Sequence, residues 1–491
     1  MSSTHLEKQM SDSVYAYEEK VQGNLDKYNE KTPARSSAEL AFLRKIDIMI
    51  LPIVCAINFM QFLDKTTINY AAMFTFKQDL GLEGNNYNIM GSMFYLGYLI
   101  FQVPNNFFLQ RVPIGRYIGV IVFVWGAVLF CSGFVQNFSQ MTALRFLLGL
   151  FEGGIYPAVS LLVSTFYRRK EQAARLGYVW LCNGLAVAVG GLISYGIGLM
   201  DDHGIARWRW IMLIMGAVTC FVGIVAFFFL IDDPKSKFLR LTAEQEAMVD
   251  SRTRDNAVVR TRVIKKEHMI EALKELRLWA FCLTSLLFCI RNGGMTIYNA
   301  QITRSFGFTA SKSLQSILLM IPTGALDIIF ILLSVYISNR INQTLYVASA
   351  MLALGSLGTL LMVVIPVSKY KLIGQYLGLA SVSSYILMMA SITNNVSGYT
   401  KKIFYNGMMM VFYTIGNFIG PFVMAPQFAP HYVGSLVMYV CFMAVGAVSL
   451  LVARWQMARV NRKRQAMPSS TETNVEDDLT DAQDPNFVYR L

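Results

Sequence analysis

Long stretches without charge alternate with short polar segments along this chain. Residues 117–144, 178–200, 373–400 and 403–453 contain no Asp, Glu, Lys or Arg. A helix needs about 20 apolar residues to cross the hydrocarbon core of a bilayer. A helix on the surface of a soluble protein keeps a polar face, which these stretches lack. The pattern predicts twelve spans, at 46–66, 87–109, 116–136, 141–166, 174–199, 208–231, 278–300, 314–338, 343–366, 372–396, 404–425 and 431–456. The block 403–453 is too long for one span and is cut at Pro426 and Pro430, because proline cannot continue a helix. The longest polar insert, 232–277, divides the membrane part into an N-terminal half at 46–231 and a C-terminal half at 278–457. Residues 1–45 and 458–491 are read as polar tails, the part beyond 465 as disordered. Within the insert, Leu241–Glu246 reads as helical, with Thr242 as its N-cap.

Composition agrees with this pattern. Hydrophobic residues make up 54% of the 491 residues and charged residues only 15%, with a mean hydropathy of +0.43. Soluble chains carry about a quarter charged residues. The net charge of +12 lies in alternate loops, including Arg111, Arg168, Arg169, Lys170, Arg175, Lys235, Arg340, Lys401 and Arg454. Such a bias orients membrane helices with the basic loops inside. Both termini and the insert are therefore expected on the cytoplasmic side, in the plasma membrane or an internal membrane. No basic stripe lies on a soluble domain, so nucleic acid is not an expected partner. The bilayer is the expected partner, and a monomer the expected unit. The seven cysteines, Cys55, Cys131, Cys182, Cys220, Cys282, Cys289 and Cys441, all sit in apolar segments without a C-x-x-C pair. They suggest neither a disulfide framework nor a metal site, and no cofactor is implied. The polar N-terminus leaves no cleavable signal, so the first span is expected to direct insertion.

An ionisable side chain in hydrocarbon is costly and needs a reason. Span 4 carries Arg145 and Glu152 seven residues apart, close to two helical turns, so they share a face. Gly149 and Gly153 lie near that face and would admit a neighbouring helix. The pair can serve a substrate anion and a proton, or an ion-pair network that holds helices together. Asp64 and Lys65 end span 1, either as interfacial charges or as part of the same chemistry. Tyr98, Gln102, Asn183, Asn292, Asn299 and Asn417 are further polar groups within spans, each a candidate hydrogen bond between helices or a candidate ligand. Arg291 on span 7 and Asp327 on span 8 are charged and mid-helix. They are expected to pair, since an unpaired buried charge is costly, unless Arg291 is a second anion ligand. His5, His203, His268 and His431 all fall outside the spans or at their edges, so any transported proton must ride on carboxylates.

Several motifs have a family resemblance. FLDKTTINYAA from Phe62, RFLLGLFEGGIYP from Arg145, RNGGM from Arg291, PTGA from Pro322, NNVSGYTKK from Asn394 and GNFIGP from Gly416 resemble fungal members of the anion:cation symporter family of the major facilitator superfamily. The likeness runs from about residue 44 to 457 and is nearest to the allantoate permease branch. It implies an all-α membrane protein with the major facilitator fold, twelve transmembrane helices in two six-helix halves, and a substrate site between the halves near the midplane. It also implies uptake of a small organic anion with protons. Arg145, Lys65, Tyr98, Asn183, Arg291 and Asn417 are the expected substrate-binding residues. Asp64 and Glu152 are the expected proton carriers, with Asp327 as a rival. Two departures stand out. Gln110 precedes Arg111 where the general loop motif has an acid, and Lys65 stands where relatives outside this branch have Arg. Lysine lacks the bidentate fork that grips a carboxylate.

The resulting reading is a proton-coupled importer whose first candidate substrate is allantoate or a related ureido carboxylate. Nicotinate, pantothenate, biotin, cysteine or a sulfonate are alternatives, as is a nutrient sensor that kept the transporter fold. The sequence holds no histidine cluster, nucleophile elbow or metal spacing that would suggest an enzyme.

Overall fold

A computed structural model describes residues 37–109, 111–200, 204–239, 241–242, 245–246, 249, 265–306, 317–366, 369–466 and 479–491. Gln110, His5 and His203 lie outside the described residues. The described residues form a helical bundle. Ten of its helices combine span length with strong apolarity. Spans 2 and 11, Asn86–Leu109 and Tyr399–Val423, are long enough at 24 and 25 residues but carry more polar side chains, such as Asn88 and Ser92 on the first and Lys401 and Asn417 on the second. The polarity has a packing reason. Ser92 Oγ donates to Phe418 O at 2.7 Å and Asn88 Nδ2 to Met424 O at 3.3 Å, so these two spans face each other across the halves.

Several expected boundaries shift. Span 1 runs from Ser37 to Ala71, so residues 37–45 are helix rather than tail. Its polar start is held by Arg175–Asp47 at 3.0 Å and Arg168–Glu39 at 3.1 Å. Span 4 is two helices, Phe138–Glu152 and Ile155–Phe166, interrupted at Gly153 and Gly154 immediately after Glu152. Span 10 breaks in the same way into Lys371–Gly378 and Ala380–Asn395. Span 12 extends to Gln465. In the insert, Gln245 N donates to Thr242 Oγ1 at 3.4 Å, which is the cap bond expected there. The insert also holds a helix at Lys266–Lys274 that apolar periodicity did not reveal.

The tail corrects the sequence reading. Residues 467–478 lie outside the described residues, but 479–491 pack against the C-terminal half instead of staying free, with Thr480 and Asp481 fully buried. Composition missed this because a few specific polar bonds, together with the packing of Phe487, Tyr489 and Leu491 on the core, fix a segment that is polar on average.

Within each half, backbones approach closely through glycine. A Cβ built on Gly149 would lie 1.8 Å from Phe94 O, and one on Gly97 would lie 2.1 Å from Phe146 O. Spans 2 and 4 therefore touch at backbone distance, the small-residue packing that lipid favours.

This contact gives a first prediction. Gly149→Ala gains helix propensity of up to about 1 kcal/mol, but overpacking against a carbonyl costs about 1–3 kcal/mol. The clash should win. The variant should melt several degrees lower by fluorescence-detected size exclusion in detergent, whereas Gly177→Ala, with no atom within 4 Å of the added methyl, should not.

Candidate transport site

Four charged side chains from spans 1 and 4 meet inside the N-terminal half. Asp64, Arg145 and Glu152 are 1%, 2% and 0% exposed, and the Lys65 side chain keeps 17%. Lys65 Nζ lies 2.8 Å from Glu152 Oε1. The pairing is therefore crossed: Glu152 takes its cation from span 1, not from Arg145 on its own helix. The break at Gly153 and Gly154 lets span 2 reach this point, with Tyr98 O 3.0 Å from a Cβ built on Gly153. Lys65 Nζ also stands 5.9 Å from the ring centres of Phe94 and Tyr98, within cation–π range.

Asp64 is satisfied by different groups. Trp125 Nε1 of span 3 donates to Asp64 Oδ2 at 2.6 Å, and Thr67 Oγ1 to the Asp64 carbonyl at 2.6 Å. Arg145 Nη2 donates to Thr67 Oγ1 at 3.3 Å, beside the Asp64 carboxylate that the same hydroxyl approaches at 3.4 Å. Arg145 Nε has no hydrogen-bond partner although it is buried. Two acids and two bases thus leave the cluster formally neutral, with donor capacity to spare on the guanidinium. Tyr95, Tyr98 and Tyr413 stand near enough to Glu152 to act on it electrostatically, so span 11 of the other half borders the cluster. Behind Tyr413, Tyr385 stacks on Phe288 at 5.1 Å.

The other expected site residues are placed differently. Asn183 accepts from Asn58 Nδ2 at 2.8 Å and ties span 5 to span 1. Asn417 accepts from Asn292 Nδ2 at 3.0 Å and donates to Tyr413 O at 2.8 Å, so its amide serves spans 7 and 11. Arg291 turns to span 10, donating to Ser381 Oγ at 3.0 Å. The expected Arg291–Asp327 pair is not formed. Among the described residues no ion pair joins them, and Asp327 Oδ1 is buried without a hydrogen-bond partner. The reason is directional: Arg291 lies against Gly378 and Ser381, and a Cβ on Gly378 would sit 2.7 Å from its Nη2.

Trp125, Thr67, Asn58 and Gln61 were not singled out in the sequence. Trp125 lies within an uncharged block, where an indole reads as core; only the position of Asp64 gives its N–H a purpose. Gln61 Nε2 reaches Glu152 O at 3.4 Å.

The family profile of the major facilitator superfamily matches residues 54–423. The chain belongs to that superfamily. Allantoate permease of Saccharomyces cerevisiae is 31% identical, covering 91% of this chain and 86% of its own. Transporter C417.10 of Schizosaccharomyces pombe is 32% identical, covering 94% and 91%. These relatives place the chain in the allantoate permease-like branch. Among solved structures, a bacterial homologue of the human lysosomal transporter Spinster, inward-facing and unoccupied, superposes with a TM-score of 0.62 at 16% identity, over 83% of this chain and 97% of that one. As in that superfamily, the protein is a transporter and not an enzyme.

The two major facilitator halves are joined where spans 1 and 7 finish. Asn69 Oδ1 accepts from Ala300 N at 2.9 Å, and Tyr87 donates to Ile297 O at 2.8 Å. Lys77, on the short helix Phe76–Asp79, donates to Gln301 Oε1 at 2.6 Å and lies 4.2 Å and 5.5 Å from the ring centres of Tyr87 and Tyr298. Burial pulls the Lys77 ammonium down to about 8, against about 10.4 in water. The joined arrangement therefore favours the neutral amine relative to one in which Lys77 meets water. Junction at this end should strengthen as pH rises from about 8 to about 10 and should not respond through this group below that window. Spin labels on Gln78 and Arg304 should report the shift as a shorter mean distance at high pH. Lys77→Met should remove the pH response.

Proposed function

We propose that this transporter imports a small organic anion together with protons, and that allantoate or a related ureido carboxylate is the first substrate to test. The observation that carries this reading is the buried neutral quartet of Asp64, Lys65, Arg145 and Glu152, in which Lys65 alone keeps appreciable exposure. An anion entering beside Lys65 competes with Glu152 for the ammonium. Once that hold weakens, a buried carboxylate favours its protonated form. Substrate and proton then bind with positive coupling, which is the linkage symport needs. Arg145 offers the unused Nε–H as a second contact for the anion. The wall formed by Tyr98, Tyr413, Tyr385 and Phe288 suits a flat, amide-rich substrate. The allantoate permease relative supplies the choice of ureido carboxylate.

The basic loops favour placing the linker and both tails in the cytoplasm, so the joined end faces outward and the site is reached from inside. One chain carries the whole quartet, which supports a monomer as the working unit. Asp327, half-buried with an unpartnered oxygen, is the alternative proton carrier.

Two measurements test the proposal in proteoliposomes with radiolabelled allantoate, after a growth screen of a permease-deficient fungal cell on single nitrogen sources. Arg145→Ala should lower uptake at least about tenfold, the loss expected when a charged hydrogen-bond donor is removed, with normal membrane insertion. Glu152→Gln should keep counterflow exchange while losing accumulation driven by an imposed pH step. Continued accumulation by both Glu152→Gln and Asp64→Asn would reject these carriers and point to Asp327. Growth and uptake on another anion, such as nicotinate, would retain the mechanism and change the substrate.

A further inference from the structure

Residues 479–491 lie across the end of the C-terminal half that carries the linker. Asp481 is fully buried there. Its Oδ2 lies 2.7 Å from Arg277 Nη2 at the start of span 7, and its Oδ1 lies 3.0 Å from Lys401 Nζ at the start of span 11. Tyr489 OH donates to the same carboxylate at 2.7 Å, and Ser397 N donates to it at 3.2 Å. Burial alone would raise the carboxyl's pKa, but Arg277 and Lys401 outweigh it and hold the group below its ordinary value. Asp481 is thus a buried anion met by two neutral donors and by two cations that it shares with glutamates, since Arg277 also pairs with Glu275 at 2.6 Å and Lys401 with Glu271 at 2.7 Å and Glu275 at 2.5 Å.

The rest of the segment is held by its backbone. Asn395, at the end of span 10, donates to Arg490 O at 2.8 Å and accepts from Arg490 N at 2.7 Å. Asn461, on span 12, donates to Tyr489 O at 2.8 Å and accepts from Tyr489 N at 3.0 Å. Each side-chain amide imitates a neighbouring strand and grips one residue's peptide groups. Arg464 donates to Phe487 O at 2.7 Å and Asp481 O at 2.6 Å, and Thr344 N, at the start of span 9, donates to Leu491 O at 2.6 Å. Thr480 Oγ1 reaches Glu271 of the linker helix at 3.1 Å.

A segment that is merely covered by neighbours would be buried through apolar side chains. Phe487, Tyr489 and Leu491 do pack on the apolar core of this half, but the segment's position is fixed by one acid, one tyrosine hydroxyl and main-chain amides, which is how a protein binds a peptide. We infer that the linker-side end of the C-terminal half is a peptide-binding site, specific for an acidic side chain in a turn followed, several residues on, by a backbone gripped at Tyr489 and Arg490, and that its occupant is the chain's own segment 479–491. Docking of the segment straps together the starts of spans 7, 9 and 11, the end of span 10 and the end of span 12. The assignment does not depend on the transported substrate.

Hydrogen exchange on the full chain in nanodiscs tests this. In the wild type, the amides of Ser397, Tyr489 and Arg490 should be protected. Asp481→Asn removes the charge and should raise exchange at all three by at least about tenfold, with spans 1 to 6 unchanged. Adding a synthetic peptide of residues 479–491 to the Asp481→Asn protein should restore protection at Ser397. The same peptide carrying Asp481→Asn should need at least about tenfold higher concentration to do so. Tyr489→Phe, which only deletes a hydroxyl, should show a smaller rise at the same amides if the charge variant fails to fold. Unprotected Tyr489 and Arg490 amides in the wild type would overturn the inference. So would loss of protection throughout the C-terminal half in both variants, because the segment would then be part of the core rather than a bound peptide.

Discussion

Lys65 and Glu152 meet at 2.8 Å in a place where bulk water cannot hydrate either of them fully. Removing one partner from such a pair costs about 3–5 kcal/mol, because the other charge is left buried alone. The surrounding architecture follows from that constraint. Span 1 must press against span 4, and Gly153 must be small so that span 2 and its Tyr98 can cover the pair. Asp64, next to Lys65 in sequence, and Arg145, two turns from Glu152, must then be balanced separately, which Trp125 and Thr67 help to do. A charge cluster built this way is formally neutral and has charge to offer only when something disturbs the pair.

Two kinds of order hold the bundle. Within the halves, glycine lets helices meet backbone to backbone, as at Gly149 with Phe94 and at Gly420 with Ile290 O, 2.4 Å from a built Cβ. Between the halves, contact at the end where spans 1 and 7 finish combines side-chain hydrogen bonds at Asn69, Tyr87 and Ser92 with aromatic packing such as Tyr87 on Tyr298. The first kind is dense and difficult to separate. The second is made by side chains rather than by backbones, as suits surfaces that part and rejoin during transport.

The membrane class and the twelve-span layout were legible because hydrocarbon forbids charge over long stretches, and that prohibition is written directly in composition. Asp64, Lys65, Arg145 and Glu152 were legible for the same reason, since each is an exception to it. Which partner each would take was not. Arg145 and Glu152 share a helical face, yet Glu152 pairs with Lys65 of another helix, a relation that periodicity within one helix cannot contain. Arg291 and Asp327 showed the reverse error: both are mid-helix charges, but Arg291 points to span 10 and Asp327 is left without it. Trp125 was invisible because an indole in an apolar block looks like core until its N–H is given an acceptor. The tail was misread because average composition is blind to one carboxylate and two asparagine amides placed where they fit.

Gly184 of span 5 and Gly324 of span 8 belong to opposite halves, and a Cβ on Gly324 would lie 2.0 Å from Gly184 O. Two bare backbones in contact form a bearing with few teeth. One side chain interlocks there, Ile328, whose Cγ1 lies 2.8 Å from a Cβ built on Gly184, so a single rotamer has to yield when one half turns against the other. The surface offered to the partner changes little with angle. Friction at this point comes from main-chain contact and one flexible aliphatic side chain, which leaves little to unlock before the halves tilt. A methyl group on either residue would act as a wedge, spreading the axle and biasing the transporter toward whichever tilt relieves it.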